Sequence, residues 1–446
     1  MRSQELKPLG GDTPHSSLLT PHGFLGIDFG TGGARAIAID SSGAILAEAR
    51  LVFSDQTAET WRAALFELIG QIPPDIRRAL AAIAINGTST TALLCDADNQ
   101  PLGAPLLYND LRAQDEAKRL AQIAPPGHPV LSASSSLAKL LWFQKQPEFS
   151  GARFFLHQAD WLASLLHGRR GISDYHNSLK LGFDPETQRY PEWLLRLKVA
   201  PLLPHVLAPG TAIGPASAEI TGSFSLPRDC LIRAGTTDSI AAFIASGASR
   251  PGQAVTSLGS TLVLKLLSQK RVDAAQYGIY SHRIGNLWLA GGASNSGGAV
   301  LRAFFSDARL KELSARVHPE TDSGLDYYPL PKPGERFPIN DPELEPRLTP
   351  RPQDDALFLH GLLEGIARIE AQGYRLLQDL GATPLESVLT AGGGAGNPAW
   401  TALRSRFLGV PVQPSSHVEA AYGTALLAVR GESLLCCEQK PVENID

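Results

Sequence analysis

Two α/β domains with mixed sheets flanking a cleft are predicted by three features of the 446-residue sequence. An apolar strand ending in Asp28-Phe29-Gly30-Thr31-Gly32-Gly33 runs directly into a second apolar strand, Ala34 to Ile39. The plan recurs in the second half, where Val255 to Leu258 breaks at Gly259-Ser260-Thr261 and resumes from Leu262 to Leu267. A third strand in each half, Ala81 to Gly87 and Val388 to Gly394, also breaks into small or hydroxylated residues, so the halves read as distant duplicates.

In chain order, the first turn is a candidate phosphate loop. Glycines let the backbone approach an anion, Thr31 adds a hydroxyl donor, and Asp28 sits where a metal-bridged phosphate needs a carboxylate. No GxxxxGK[ST] occurs, so this is not a P-loop. Taken alone the segment also fits an ordinary glycine-rich hairpin. The second copy favours two hairpins clamping a phosphate chain from both sides.

Trp61, Leu65, Leu68 and Ile72 mark a helix over Thr60 to Ile72, ended by Pro73-Pro74. Shorter helical patterns cover Leu137 to Phe143 and Ala159 to Leu166, with Trp142 and Trp161 as core residues. Tyr175-His176-Asn177 is expected in a polar loop. Eight prolines between Pro329 and Pro352 exclude regular structure there. Asp354-Asp355 then cap a long helix that keeps its apolar spacing through Leu380 and stops at Gly381.

Composition bounds the function class. A net charge of −4 without a basic run excludes a nucleic-acid surface. No apolar run reaches transmembrane length, and residues 1–22, rich in proline, glycine and serine, read as a disordered extension without a secretory centre. Cys95, Cys230, Cys436 and Cys437 lack metal or disulfide spacing, so reduced thiols and a cytoplasmic location are expected. No HExxH or similar pair among the 11 histidines suggests a structural metal.

Seven ordered blocks carry a family resemblance: Gly26 to Thr31, Ala234 to Ser239, Ser257 to Thr261, Gly291 to Gly298, Gly334 to Pro338, Ala391 to Asn397, and Glu419 to Ala425. In this order they resemble the FGGY carbohydrate kinases, and in detail the compact D-ribulose kinases of cyanobacteria and plants. The resemblance implies two duplicated ribonuclease H-like domains of the actin and hexokinase ATPase type, with ATP and Mg²⁺ as cofactors and a small sugar as partner. The expected divisions are 1–22, 23–233 and 234–434.

Under that reading Asp238 is the base that receives the acceptor hydroxyl's proton, although it also fits a helix cap. Asp28 either holds Mg²⁺ through water or orients the sugar hydroxyl. Gly30, Thr31, Gly32 and Gly33 with Gly259, Ser260 and Thr261 cradle the β- and γ-phosphates. The resemblance places Gly392, Gly393, Gly394 and Asn397 against the adenosine, Trp400 beside the base or in the core, and Ser294 and Asn295 near ribose or phosphates. Thr88 and Ser89, with His176 and Asn177, are the sugar contacts.

Xylulokinases typically have a Gln-Met-His segment where this chain has Asn86 to Thr91, and ribulokinases a threonine-centred one. Asn86 departs from the aspartate common in close ribulokinase-like relatives; an amide bonds a hydroxyl but cannot act as a base. The expected reaction is phosphorylation of D-ribulose to D-ribulose 5-phosphate. Alternatives are a D-xylulose or glycerol-like kinase, or a nucleotide-binding sensor of the same superfamily.

Overall fold

A computed structural model of the protein describes residues 22–433. The expected extension, apart from His22, and Cys436 and Cys437 lie outside the described residues.

β1 (Gly23–Phe29), β2 (Gly33–Ile39) and β3 (Ile45–Val52) form an antiparallel meander, and β4 (Leu80–Gly87) runs parallel to β1 on its other side. β5 (Ala212–Pro215) closes the edge antiparallel to β6 (Leu231–Arg233), which lies parallel to β4. β7 (Thr236–Thr237) also pairs with β4, completing seven strands. This pairing carries the first sheet through Thr237, past the expected division after residue 233.

Strand alternation assigns the faces. Leu25, Ile27 and Phe29 point into a core shared with Trp61, Leu65 and Leu68 of α1 (Ala58–Gln71). Thr57 caps that helix by accepting from the Thr60 amide at 3.2 Å, so it starts two residues before the expected Thr60. The opposite face of β1 carries Phe24, Gly26 and Asp28. Asp28 therefore looks away from the α1 core.

Between β4 and β5 the chain inserts a three-stranded sheet (Ala92–Cys95, Pro101–Leu106, Phe154–His157) with α2 (Ser136–Phe143) and α3 (Gln158–His167). One turn of helix, α4 (Tyr175–Ser178), follows. Trp161 is buried, whereas Trp142 is half-buried beside the same insertion's core. Cys95 and Cys230 are buried free thiols, pushed up to about 12 by desolvation.

After β7 the chain enters α5 (Asp238–Ala245) and then the second sheet. Its strands are β8 (Gln253–Leu258), β9 (Leu262–Ser268), β10 (His282–Ile284), β11 (Leu287–Ser294), β12 (Ser387–Ala391) and β13 (Val412–Pro414), in spatial order β10-β11-β9-β8-β12-β13. The duplication is visible strand by strand. β8, β9 and β11 repeat the meander of β1, β2 and β3, while β12 lies parallel to β8 as β4 does to β1.

The Pro329–Pro352 stretch holds only two isolated bridges, and the long helix α6 (Asp355–Asp379) follows with Asp354 as its cap. α7 (Pro398–Leu408) packs with α6 on one face of the second sheet, around Leu359, Leu362, Ile366, Trp400 and Leu403. α8 (Ala420–Arg430) returns to lie with α5 between the two sheets, where Ile37, Ile240, Val255 and Ala425 share one core. Two glycines permit the approach: a Cβ on Gly26 would sit 2.1 Å from the Ala425 nitrogen, and one on Gly423 1.8 Å from the Ala241 carbonyl oxygen. No helix among the described residues is long and apolar enough to cross a membrane.

Candidate active site

The end of β1 delivers Asp28 beside Asn86, its register partner at the end of β4. Asn86 is fully buried and donates through Nδ2 to Thr424 Oγ1 at 2.6 Å. Asp28 Oδ1 and Asn86 Oδ1 are both buried without a hydrogen-bond partner. Burial, then repulsion from Asp238 and Glu419, raises Asp28 from 3.8 to about 7, against the pull of Arg35 and Asn86. Arg35 is itself ion-paired with Glu419. Orphaned oxygens on neighbouring strands fit a cation or a hydroxyl donor. The described residues hold no cluster of three or more ligating side chains. A divalent ion at Asp28 would thus complete its shell with water and phosphate oxygens.

Asp238 is the first residue of α5, after Thr237 at the cap position. Its Oδ1 accepts from the adjacent Ser239 amide at 2.7 Å. Burial lifts its carboxyl above the ordinary range, opposed by the Ser239 amide, Lys265, Lys180 and the Ser89 amide. Lys265 reaches in from β9 and donates to Ser239 O at 2.5 Å; burial lowers its ammonium to about 8. Asp238 lies near enough to raise the Asp28 carboxyl by repulsion, so the two carboxylates share one region of the cleft.

The loop after β4 is tied down from below. Gln158 Oε1 accepts from the Thr88 amide at 3.2 Å and from Thr88 Oγ1 at 3.3 Å, and Thr88 and Thr91 hydroxyls meet at 2.6 Å. Thr88 is buried, and Ser89 is half-exposed beside Asp238.

The phosphate turns keep their expected shape. Gly30 donates to Gly33 O at 3.0 Å and Gly259 to Thr261 O at 3.2 Å, closing each hairpin and leaving Thr31, Gly32 and Ser260 exposed at the tips. A Cβ on Gly33 would lie 2.2 Å from Leu51 O, which excludes any side chain there. Behind the second turn, Arg302 donates to Ser260 Oγ at 3.1 Å.

That turn forms one wall of a cavity of about 640 Å³ whose lining includes Gly259, Ser260, Gly393, Gly394, Asn397 and Trp400. Arg302 and Lys311 supply cations at its rim. Gly392 enters at φ +84°, where a Cβ would meet Leu258 O at 2.7 Å. Asn397 caps α7 through the Trp400 amide at 3.1 Å and donates to Ser314 Oγ at 2.8 Å. Trp400 lines the cavity but is only 3% exposed, so it presents an edge and not a free face.

Two expectations need correction. Ser294 and Asn295 are not among the cavity's lining residues: Ser294 Oγ donates to Glu335 Oε2 at 2.5 Å, the Asn295 amide to Glu335 Oε1 at 2.8 Å, and Asn295 Nδ2 to Gly334 O at 2.9 Å. They fasten β11 to the proline-rich excursion. The 175–177 segment is not a polar loop but a buried helical turn, because Asp174 caps it through the His176 and Asn177 amides at 2.8 and 3.1 Å. His176 donates from Nε2 to Arg283 O at 2.6 Å and accepts at Nδ1 from Thr236 Oγ1 at 2.7 Å. Both ring nitrogens are thus spent, one on Thr236 of the first sheet and one across to the second domain's Arg283 carbonyl, and burial lowers the ring to about 4. Asn177 keeps one buried, unpartnered oxygen.

Sequence reasoning missed Lys265 and Arg302. Lys265 left a trace as the one charge within Leu262 to Leu267. Arg302 left none.

Two sheets of equal strand order, phosphate turns at their facing ends and a carboxylate opening the helix between them define a two-domain phosphotransferase of the actin and hexokinase type. Within that class the chain belongs to the FGGY family of carbohydrate kinases: residues 24–245 match its N-terminal domain and residues 254–432 its C-terminal domain. It is thus an ATP-dependent sugar kinase. Among its relatives, a xylulose kinase of Streptomyces coelicolor is 29% identical over 440 residues, covering 91% of this chain and 87% of that one. A xylulose kinase of Bacillus subtilis is 23% identical over 459 residues, covering 93% and 90%. The fold matches solved structures of a xylulose kinase from Rhodospirillum rubrum (TM-score 0.79, 20% identity, 92% and 90% covered) and of a Plasmodium falciparum glycerol kinase with ADP (TM-score 0.79, 17% identity, 92% and 89% covered).

Proposed function

We propose that the protein transfers the γ-phosphoryl group of Mg-ATP to a ketopentose hydroxyl, converting D-ribulose to D-ribulose 5-phosphate. The observation that carries the choice of sugar is the hydroxyl-rich Thr88–Thr91 loop standing beside Asp238, in place of a Gln-Met-His segment.

Asp238 accepts the acceptor hydroxyl's proton late in transfer. Burial raises its proton affinity above that of an ordinary carboxyl, the direction a general base needs. The Ser239 amide and the Lys265 and Lys180 ammonium groups favour its ionised form against the effect of burial. Ser89 orients the sugar from the first domain, on a loop that the buried Thr88 hydroxyl fastens to Gln158 and Thr91. Amides at the exposed hairpin tips, Thr31 and Gly32 on one side and Ser260 on the other, hold the phosphate oxygens, and Arg302 adds positive charge behind Ser260. The adenosine occupies the cavity beside Gly393, Gly394 and Trp400. Mg²⁺ held at Asp28 would screen the charge shared by the β- and γ-oxygens. Closure of the two domains excludes water, so that the hydroxyl and not water attacks.

The names of the sequence relatives favour D-xylulose as a second reading. A coupled ADP-release assay with D-ribulose, D-xylulose, L-ribulose, glycerol and no acceptor separates them. The proposal expects the highest kcat/KM with D-ribulose. A higher value with D-xylulose reverses the order, and turnover indifferent to every acceptor removes the kinase reading in favour of a nucleotide sensor.

A further inference from the structure

We propose that Lys139 is a positioning residue for the acceptor loop: its ammonium holds Thr88–Thr91 in the backbone shape that sets Ser89 against Asp238. The inference rests on the sugar-kinase reading and adds a residue that never touches substrate.

Lys139 lies in the apolar helix α2, between the buried Ala138 and Leu140, and is itself 0% exposed. Its Nζ donates to Thr90 O at 2.9 Å, to Thr90 Oγ1 at 3.2 Å and to Leu107 O at 2.7 Å. All three ammonium hydrogens are therefore spent on one short loop and the strand end beside it. Among the described residues no carboxylate is ion-paired with it. Asp110, whose charge acts on it, binds Arg112 at 2.6 Å.

A buried charge without a counterion is costly, and an apolar residue of the same length would fill α2 more favourably. The compensating feature is at Thr90, a β-branched residue at φ +66° and 2% exposed. Left-handed backbone is strained for such a residue and persists only where its surroundings enforce it. Lys139 grips both the carbonyl and the hydroxyl of that residue. From the other side, the Gln158 amide donates to Thr91 O at 2.9 Å. The half-exposed Ser89 lies between Thr88, held by the Gln158 side chain, and Thr90, held by Lys139, and has no freedom to turn from Asp238.

The test compares Lys139→Met, Lys139→Gln and the double variant Lys139→Met with Thr90→Gly. Kinetics use Mg-ATP and the pentulose most active with the unaltered protein, and ADP affinity is measured without acceptor. Lys139→Met is expected to raise the acceptor KM at least tenfold while ADP affinity and the KM for ATP stay within twofold. Lys139→Gln, able to reach one carbonyl, should fall between it and the unaltered protein, and it carries the same expectation if the Met variant does not fold. Glycine at position 90 adopts positive φ unaided, so the double variant should recover at least threefold of the lost acceptor KM. An unchanged acceptor KM in a folded Lys139 variant, a parallel rise in both KM values, or no recovery with glycine would overturn the positioning role. An unaltered protein that turns over no pentulose defeats the pentulose reading itself, before any variant is compared.

Discussion

Replacing Asp28 with asparagine should stabilise the ligand-free protein at pH 8 while removing phosphoryl transfer, because the fold opposes the charge that the reaction uses. The carboxyl rises from 3.8 to about 7 on folding, so the folded state binds its proton more tightly than the unfolded chain. Its contribution to stability is full below about pH 4 and is lost as pH rises through 7. An interval of about three pH units at about 1.36 kcal/mol each bounds the loss near ~4 kcal/mol. Water reaching a half-buried group relaxes part of this, leaving about 2 kcal/mol over the whole interval. About two of those three units, or roughly 1.3 kcal/mol, fall between pH 5 and pH 8, so at roughly 2–4 °C per kcal/mol for a domain near 200 residues the variant's melting temperature relative to the unaltered protein should gain roughly 3–5 °C over that window. Thermal unfolding at both pH values measures it. Mg-ADP should narrow the pH 8 difference, since a cation beside Asp28 favours its ionised form. An equal difference between the two proteins at pH 5 and pH 8 would refute the reasoning.

Three further outcomes follow from the same geometry. Asp238→Asn should cut kcat by about 10²–10⁴ while ADP affinity stays within a few fold, measured by single-turnover transfer and calorimetry; retained turnover removes it as the base. Arg302→Met should raise the KM for ATP about tenfold with the acceptor KM unchanged, as befits a cation behind Ser260. Arg404 is fully buried and donates to Glu370 at 2.6 and 2.7 Å and to Thr390 at 2.7 Å. Arg404→Met leaves the Glu370 carboxylate buried and unpaired, and should cost about 3–5 kcal/mol in denaturant unfolding.

The two glycine-rich turns were legible because the requirement is local. A backbone that must approach an anion writes glycine beside a hydroxyl residue, and the strand on either side writes an apolar run. The long helix α6 was legible for the same reason, its cap at Asp354 and its stop at Gly381 lying within its own sequence. What escaped reading depends on partners distant in the chain. Ser294 and Asn295 sit in a recognisable block, yet their use is fixed by Glu335, some 40 residues on. His176 lies in a polar tripeptide that looks like loop until Asp174 caps it and Thr236 and the Arg283 carbonyl claim both ring nitrogens. Lys139 and Lys265 each appear as a single charge in an apolar run. Only the packed fold shows which carbonyls they reach.

The most direct test of the central claim is phosphorus NMR of a reaction containing Mg-ATP and D-ribulose. A sugar phosphomonoester resonance should grow in step with ADP, disappear from the Asp238→Asn reaction, and stay absent when D-ribulose is omitted. Growth of inorganic phosphate alone, at the same rate with and without the sugar, would contradict transfer to an acceptor held between Asp28 and Asp238.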